Sequence, residues 1–282
     1  MSAIIGGLAL AGISAVASSS AHALLKSSSD KFAIQAWSSI IGLVIALPFA
    51  FWTGLPEPAI VPWLFAGWVL HTIYYLVLVW SYSASDFSVA YPISRGIVPI
   101  FAAIFGITLL GDRLDPLALT GIVIISGGIL MIGLNQGTTR SGLIAAGIAG
   151  LLNTCFTLVD AKAMRLAIDP INFLVWYYIA DGISMPVLFA MREKGGLLKV
   201  AAVHTRTGIA AGIMALFAFL PALIAFRLAP IGAVSAIRAT SVIFSLLLGG
   251  HLLKERMDGR RIGGAVLVTL GVFAIIAGSA LF

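Results

Sequence analysis

The feature that most constrains this chain is a duplicated pattern of long apolar segments. Residues 81–133 align with residues 224–276 without a gap. Arg95 aligns with Arg238, and each lies near the middle of an apolar stretch long enough to cross a bilayer. Because a guanidinium at that depth costs at least ~2.5–3.5 kcal/mol on insertion scales, we expect both arginines to face a hydrated cavity or a partner. Other identical pairs are Gly106 with Gly249, Arg113 with Arg256, Asp115 with Asp258, Gly121 with Gly264 and Gly128 with Gly271.

Composition assigns the chain to the membrane proteins. It is 60% hydrophobic and 10% charged, with a mean hydropathy of +1.09, whereas roughly a quarter of the residues in a soluble domain are charged. The apolar runs are continuous and helix-length, unlike the alternating strands of a barrel. Because a helix satisfies its backbone hydrogen bonds internally, we predict an all-α integral membrane protein. Apart from Arg95 and Arg238, the basic residues behind the net charge of +6 lie in short loops and helix ends, so the charge does not indicate a nucleic-acid partner.

Polar segments divide the chain into ten predicted transmembrane spans. These are residues 3–25, 32–53, 59–80, 86–110, 116–134, 141–164, 170–191, 207–226, 231–253 and 260–281. Five spans per copy is an odd number, so the second copy must run in the opposite direction through the membrane. We therefore predict one membrane domain of two inverted five-helix repeats, residues 1–136 and 137–282, around a central cavity. In such designs the substrate site lies near the midplane between the repeats.

Basic residues are distributed unevenly between the two sets of loops. With the amino terminus outside, the cytoplasmic loops hold Lys26, Lys31, Arg140, Arg192, Lys194, Lys199, Arg206, Lys254, Arg256, Arg260 and Arg261. The opposite loops hold only Arg113, Lys162, Arg165 and Arg227. This positive-inside bias predicts a multi-pass protein of the inner (cytoplasmic) membrane with both termini on the non-cytoplasmic side. The first apolar run lacks a basic leader, so we expect it to be retained as a span.

Several short motifs carry a resemblance to a known family. They are Lys26 at the end of the first span, Tyr-Pro-Ile-Ser-Arg-Gly at 91–96, Leu-Leu-Gly-Asp-Arg-Leu at 109–114 and Leu-Leu-Lys-Glu-Arg-Met at 252–257. With the ten spans and the repeat, they resemble the drug/metabolite transporter (DMT) superfamily, in particular the ten-span EamA family, which includes the YddG-like amino acid exporters. The last two motifs are similar to the helix-closing LxGE turns of that family. Asp112 replaces the usual glutamate of the first turn, and Lys254 the usual glycine of the second.

The resemblance implies a secondary transporter that exports small metabolites, typically amino acids, by alternating access. Its cavity would be bordered by spans one, three, four, six, eight and nine, with five and ten peripheral. The alternative is an exchanger of phosphorylated or nucleotide-linked metabolites, whose site would need a cluster of lysines and arginines. An enzyme is not indicated, because the sequence has no H-E-x-x-H or G-x-S-x-G motif. No metal site and no cofactor are predicted.

Polar and aromatic side chains at membrane depth are the candidates for substrate binding. Tyr91, Ser94 and Arg95 share one face of the fourth span. The arginines either attract an anionic group of a small-molecule substrate or pair with acids and hold helices together. A pocket with cationic ends and aromatic walls suits a zwitterion with an apolar side chain. The full set of candidate cavity residues is Arg95, Arg238, Tyr91, Ser94, His22, His71, Tyr74, Tyr75, Asn153, Thr157, Tyr177 and Ser241.

Two aspartates at membrane depth have two open interpretations. Asp181 lies in the middle of span seven, and Asp160 lies nearer the end of span six. Each either binds a coupling proton or is the permanent counterion of an arginine. For His22 and His71, the alternative to substrate binding is an interhelical hydrogen bond.

Glycines in spans five and ten recur mostly at seven-residue spacing. The set is Gly121, Gly127, Gly128, Gly133, Gly264, Gly271 and Gly278. Small residues at this period let two helices approach closely in a membrane. The spacing predicts either packing within the bundle or the contact of a homodimer.

Overall fold

A computed structural model describes residues 2–84, 87–133, 139–192, 205–252 and 259–279. These residues form eleven α-helices and no strand. The helices are α1 Ser2–Ser27, α2 Lys31–Thr53, α3 Val61–Ala84, α4 Phe87–Leu110, α5 Pro116–Gly133, α6 Arg140–Leu166, α7 Pro170–Arg192, α8 Thr205–Leu228, α9 Ile231–Ala239, α10 Ser241–Leu252 and α11 Gly259–Ser279.

The helices coincide with the ten predicted spans. Among the described helices, nine are long and apolar enough to cross a membrane, and α9 and α10 together occupy the ninth span. Thr240 separates them in a tight turn, where its amide donates to Ile237 O at 3.1 Å and its hydroxyl donates to the same carbonyl at 2.6 Å. The predicted fold class is confirmed. The predicted repeat boundary at 136/137 and the turn at 252–257, after its first residue, lie outside the described residues.

Local capping explains several helix starts. The Asp30 carboxylate accepts from the amides of Phe32 and Ala33 at 3.1 and 3.0 Å and begins α2. The Thr139 hydroxyl accepts from Gly142 N at 3.1 Å and begins α6. Because the first amides of a helix have no partner within it, these side chains remove a cost that is severe near a bilayer.

The helix contacts have the symmetry of the repeat. α1 packs on α8 and α3 packs on α6, and these two pairs exchange when the repeats are exchanged. α2 pairs with its own counterpart α7, α4 with α9, and α5 with α11. Because each repeat has five spans, the two-fold axis lies in the membrane plane, as in inverted-repeat transporters. The interface between the repeats therefore crosses the middle of the molecule.

Glycines allow the two repeats to approach closely at the α5–α11 pair. A Cβ on Gly121 would lie 2.6 Å from Gly271 O, and a Cβ on Gly128 would lie 2.8 Å from Gly264 O. No larger residue fits at these crossings without moving backbone. These four glycines therefore pack within the chain, as one of the two interpretations of their spacing predicted. The homodimer stays a prediction.

Several polar residues are buried in the bundle, whereas many large apolar residues are exposed on its outside. Ser14, Ser18, His71, Arg95 and Arg238 are all buried. The outer surface instead carries exposed apolar side chains along its helices, among them Phe65, Ile104, Leu109, Val123, Leu151, Phe217, Val266 and Phe273. An apolar exterior around a polar interior suits a protein whose surroundings are lipid.

Candidate functional site

Arg95 and Arg238 both bind polar side chains of α1. Arg95 Nη2 donates to Ser18 Oγ at 2.9 Å and to His22 Nε2 at 2.8 Å, and Arg238 Nε donates to Ser14 Oγ at 2.9 Å. The three α1 residues are spaced four apart and share one face, so successive contacts are about 6 Å apart along the helix axis. We call these five residues the arginine cluster. Both arginines are only 5% exposed, as the sequence predicted for cations that avoid lipid.

Neither guanidinium of the cluster has an acidic partner within the described part of the chain. The ion pairs found there join His71 to Asp160 and Asp181, and Arg165 to Asp112. The aspartates of spans six and seven are thus not counterions of the arginines in this structure. Two positive charges remain uncompensated by carboxylates in the middle of the bundle.

Aromatic rings supply part of the missing compensation. Arg95 Cζ lies 5.2 Å from the ring centre of Tyr91. Arg238 Cζ lies 5.7 Å from the ring of Phe219 and 5.8 Å from that of Phe226. Such contacts contribute about 2 kcal/mol or more when desolvated, less than burial of an arginine costs. The aromatic rings therefore compensate the two charges of the cluster only in part.

His22 is fixed as a neutral ring by its two neighbours. A guanidinium has only donors, so Nε2 of His22 must accept from Arg95 and the ring proton resides on Nδ1. Nδ1 lies 3.0 Å from the hydroxyl of Tyr82, to which it donates. Tyr91, whose ring centre is 5.0 Å from that of His22, donates its hydroxyl to Ser241 Oγ at 2.7 Å. Hydrogen bonds thus connect α1 with α3 and α4, and α4 with α10.

A cavity of about 690 Å³, including its open mouth, lies beside the cluster. Its polar and aromatic lining comprises Ser18, His22, Gln35, Ser38, Ser39, Tyr74, Tyr75, Tyr177, Tyr178, Asp181 and Phe219. On α1, α2 and α3 these residues lie in the halves next to the α1–α2 and α3–α4 loops. We call it the main cavity.

The walls of the main cavity differ from the expectation for spans four, six and nine. They come from α1, α2, α3, α7 and α8. Among the described residues, none from spans four, six and nine lines this cavity, and none from spans five and ten does.

The predicted site residues divide into two layers. His22, Tyr74, Tyr75, Tyr177 and Asp181 line the main cavity. The remaining candidates lie behind the wall: Arg95, Arg238, Tyr91, Ser94, His71, Asn153, Thr157, Asp160 and Ser241. Among these, the hydroxyl of Ser94 donates to the carbonyl of Tyr91 at 2.9 Å, and that of Thr157 to Asn153 Oδ1 at 3.4 Å.

A second constellation places His71 between the two membrane aspartates. Its Nε2 lies 2.9 Å from Asp160 Oδ2, and its Nδ1 lies 3.6 Å from Asp181 Oδ1. The hydroxyl of Tyr75 donates to Asp181 Oδ2 at 3.1 Å. His71 is 1% exposed, and the ring of Phe156 covers it with the ring centres 4.1 Å apart. The helices α3, α6 and α7 thus bring together three titratable groups.

A smaller cavity lies on the other side of this constellation. It is lined by Trp63, Leu64, Gly67, Trp68, His71, Asp160, Phe173, Tyr177, Ala180 and Asp181. Its α3 residues belong to the half of that helix next to the α2–α3 loop. Tyr177 and Asp181 also line the main cavity, so these two side chains separate the two spaces.

Comparison with known proteins decides the family. The sequence profile of the EamA-like transporter family matches residues 1–134 and, separately, residues 140–277. The chain belongs to the EamA family. It is therefore a multi-pass membrane transporter of the DMT type, which meets a small-molecule substrate and the lipid bilayer.

Structural comparison shows the same fold. A solved structure titled "Crystal structure of protein" superposes with a TM-score of 0.71, covering 100% of this chain and 99% of that chain at 16% sequence identity. At this identity the similarity concerns the fold. A search of curated proteins found no match.

The EamA chain also has a polar network on the α4–α5 loop side whose long-range partners the sequence did not predict. Arg165 Nη1 donates to Asp112 Oδ1 at 2.6 Å, and Arg165 Nε donates to Phe226 O at 2.8 Å. Asp112 Oδ2 accepts from Ile231 N at 2.7 Å and so begins α9. Arg227 donates to Met164 O at 2.9 Å. We call Asp112, Arg165 and Arg227 the Arg165 network.

Further contacts close the same side of the molecule. Glu57 accepts from the amides of Ile168 and Asp169 at 2.9 and 2.8 Å. Asn172 Nδ2 donates to Thr53 O at 3.1 Å and to Leu55 O at 3.0 Å. Loops of the two repeats are thus joined here, while the main cavity extends toward the opposite side. The sequence signal was present as arginines at the ends of spans six and eight, but their partners are far away in the chain.

Proposed function

We propose that this EamA transporter exports amino acids with apolar side chains across the cytoplasmic membrane by alternating access, as the YddG-like exporters it resembles do. The observation that carries the proposal is the arginine cluster. Two buried guanidiniums without a carboxylate partner, held on one face of α1, offer a site for a substrate carboxylate. Charge-assisted hydrogen bonds from guanidinium to carboxylate are among the strong ones, and they strengthen where water is excluded.

The main cavity fits the remainder of such a substrate. Tyr74, Tyr75, Tyr177 and Phe219 give it an aromatic wall, while Ser18 and His22 connect it to Arg95. The substrate carboxylate would take the place of Ser18 and His22, which now accept hydrogen bonds from Arg95. An apolar substrate side chain would then lie against the aromatic wall.

The open main cavity on one side and the closed opposite side agree with an exporter that has not yet bound its substrate. Positive-inside bias predicts that the α1–α2 and α3–α4 loops lie in the cytoplasm, and the main cavity extends toward those loops. The Arg165 network would then close the non-cytoplasmic side. Loading from the cytoplasm followed by rocking of the repeats would open that side and close the other.

The arginine cluster also suits the second candidate function, which is that of an exchanger of phosphorylated metabolites. Two uncompensated cations suit a dianion as well as a carboxylate. The nearest further cation on α1 is Lys26, whose ammonium donates to Tyr82 O at 2.8 Å. The aromatic wall favours the amino acid, since a phosphate ester of a sugar or nucleotide carries more polar surface.

Counterflow in proteoliposomes tests the proposal. Vesicles loaded with unlabelled L-leucine or L-phenylalanine should accumulate the labelled amino acid, and glucose 6-phosphate should not compete. Arg95→Gln and Arg238→Gln each remove a charged hydrogen-bond donor worth roughly 1.5–3 kcal/mol, so half-saturation should rise about 10- to 150-fold. Arg206→Gln, which removes an exposed arginine at the start of α8, is the matched control. Equal half-saturation in all three variants would reject the role of the cluster, and competition by glucose 6-phosphate would favour the exchanger.

A further inference from the structure

The constellation around His71 has an unfilled position for one proton. The 2.9 Å contact between Nε2 and Asp160 Oδ2 requires a proton between those atoms. On the other side of the ring, His71 Nδ1 and Asp181 Oδ1 are both buried without any hydrogen-bond partner in the described chain, and they lie 3.6 Å apart. A neutral ring that donates through Nε2 would direct the lone pair of Nδ1 at a carboxylate oxygen, leaving two unsatisfied acceptors facing each other.

One additional proton resolves this conflict. Bound to His71 Nδ1 or to Asp181 Oδ1, the proton forms a hydrogen bond between these two atoms once they move a few tenths of an ångström closer together. Asp181 Oδ2 is already satisfied by the hydroxyl of Tyr75, so the proton has one defined place. The charge of the three groups then changes from two negative charges to one.

Within the described part of the chain, the surroundings of His71 hold no other group that would take this role. Asp160, Asp181, Tyr75 and Tyr177 are the titratable groups that face it, and the hydroxyl of Tyr177 lies 3.4 Å from Nε2. Arg238 is the cation whose charge acts on it. Phe156 and Phe219 cover the ring. His22 contrasts with His71, because a guanidinium occupies its Nε2 and leaves no acceptor for a second proton.

The position of this constellation gives the proton two routes. His71 and Asp160 line the smaller cavity, Tyr75 lines the main cavity, and Asp181 lines both. The two cavities extend toward opposite ends of α3. A proton at the Nδ1–Oδ1 gap is therefore one side chain away from either space.

We propose that Asp160, His71 and Asp181 form a proton-binding site between the two cavities, through which the transporter is coupled to a proton gradient. Proton binding itself is independent of the substrate, whereas the coupling rests on the proposed export function. The substrate carboxylate binds at the arginine cluster, and the proton binds at this separate site on α3, α6 and α7. His71 is then a proton carrier and not the substrate ligand that the sequence suggested. Asp160 is a proton carrier with it.

Infrared difference spectroscopy of the full-length protein in nanodiscs tests proton binding directly. The probe is a change of buffer pH, with no substrate present. Wild-type protein should show a carboxyl or imidazole band that changes with pH, and His71→Gln, Asp160→Asn and Asp181→Asn should each remove or shift it. His22→Gln, the other membrane histidine, should retain the wild-type band. A band that persists in His71→Gln and in both aspartate variants would overturn the proposal.

Transport measurements test the coupling. In proteoliposomes, counterflow of labelled L-leucine without a gradient should remain detectable in His71→Gln and Asp160→Asn, while the acceleration that an imposed pH gradient gives to the wild type should be lost. Asp160→Asn keeps the side-chain volume and serves as the second variant if His71→Gln does not fold. Gradient-driven acceleration that survives in both variants would overturn the coupling. If wild-type protein moves no leucine, the proposed substrate fails, and the infrared result alone decides the proton site.

Discussion

Replacing Gly128 by alanine should destabilise the protein, whereas the same change at the neighbouring Gly127 should not. The added Cβ at Gly128 would lie 2.8 Å from Gly264 O and 3.0 Å from Leu267 Cβ, and ordinary contact begins at 3.4 Å. The backbone carbonyl cannot rotate away, so α5 and α11 must separate by about 0.6 Å, and overpacking of this kind costs ~1–3 kcal/mol. A Cβ at Gly127 meets nothing within 4 Å, and alanine gains about 0.5–1 kcal/mol over glycine there.

The gain of alanine over glycine applies at both positions and cancels in the comparison. The two variants should therefore differ by the overpacking cost alone, roughly 1–3 kcal/mol in the free energy of unfolding. At about 2–4 °C per kcal/mol for a chain of this size, Gly128→Ala should melt ~2–12 °C below Gly127→Ala. Thermal unfolding of both proteins in the same detergent, followed by tryptophan fluorescence, measures the difference. Light scattering of the two variants should give the same mass, because Gly128 packs against α11 of the same chain. Equal melting temperatures, or a change of mass confined to Gly128→Ala, would refute the packing argument.

Further predictions concern the closed side, the orientation and a buried hydrogen bond. Arg165→Gln removes the ion pair to Asp112 and should open the closed side. In a Cys155→Ser background, a thiol reagent should then label a cysteine introduced by Trp63→Cys faster than it does when Arg165 is present. Unchanged labelling would show that the Arg165 network does not restrict access. A carboxyl-terminal alkaline phosphatase fusion should be active, since both termini are predicted outside. An inactive phosphatase fusion together with a fluorescent GFP fusion would show the opposite orientation. Tyr91→Phe removes the hydrogen bond to Ser241 Oγ. The free energy of unfolding, followed by a thermal melt, should fall by about 0.6–1.7 kcal/mol, the range for interhelical hydrogen bonds in membranes. A gain in stability would contradict that role.

The sequence alone determined the spans, the repeat and the depth of the charged residues. Apolar length fixes a span because the bilayer is thick and excludes unpaired backbone groups. The same solvent keeps Arg95 and Arg238 away from lipid, and the structure confirms that both are buried. Glycine spacing likewise predicted a close helix contact, since only a residue without a side chain permits backbone approach. These inferences need nothing beyond local composition and the properties of the membrane.

Only the tertiary structure decided which charges meet. Two arginines and two aspartates at membrane depth allow either arginine–aspartate pairs or separate sites, and their order in the chain does not distinguish the two. Packing of α3 on α6 and α7 brings His71 to both aspartates, while α1 supplies Ser14, Ser18 and His22 to the arginines. The partners are 73 to 224 positions apart, so side-chain pairing depends on which faces of distant helices pack together. A change of one residue in helix rotation turns a side chain by about 100°, which is why hydropathy patterns could place the charges in the membrane but not assign their partners.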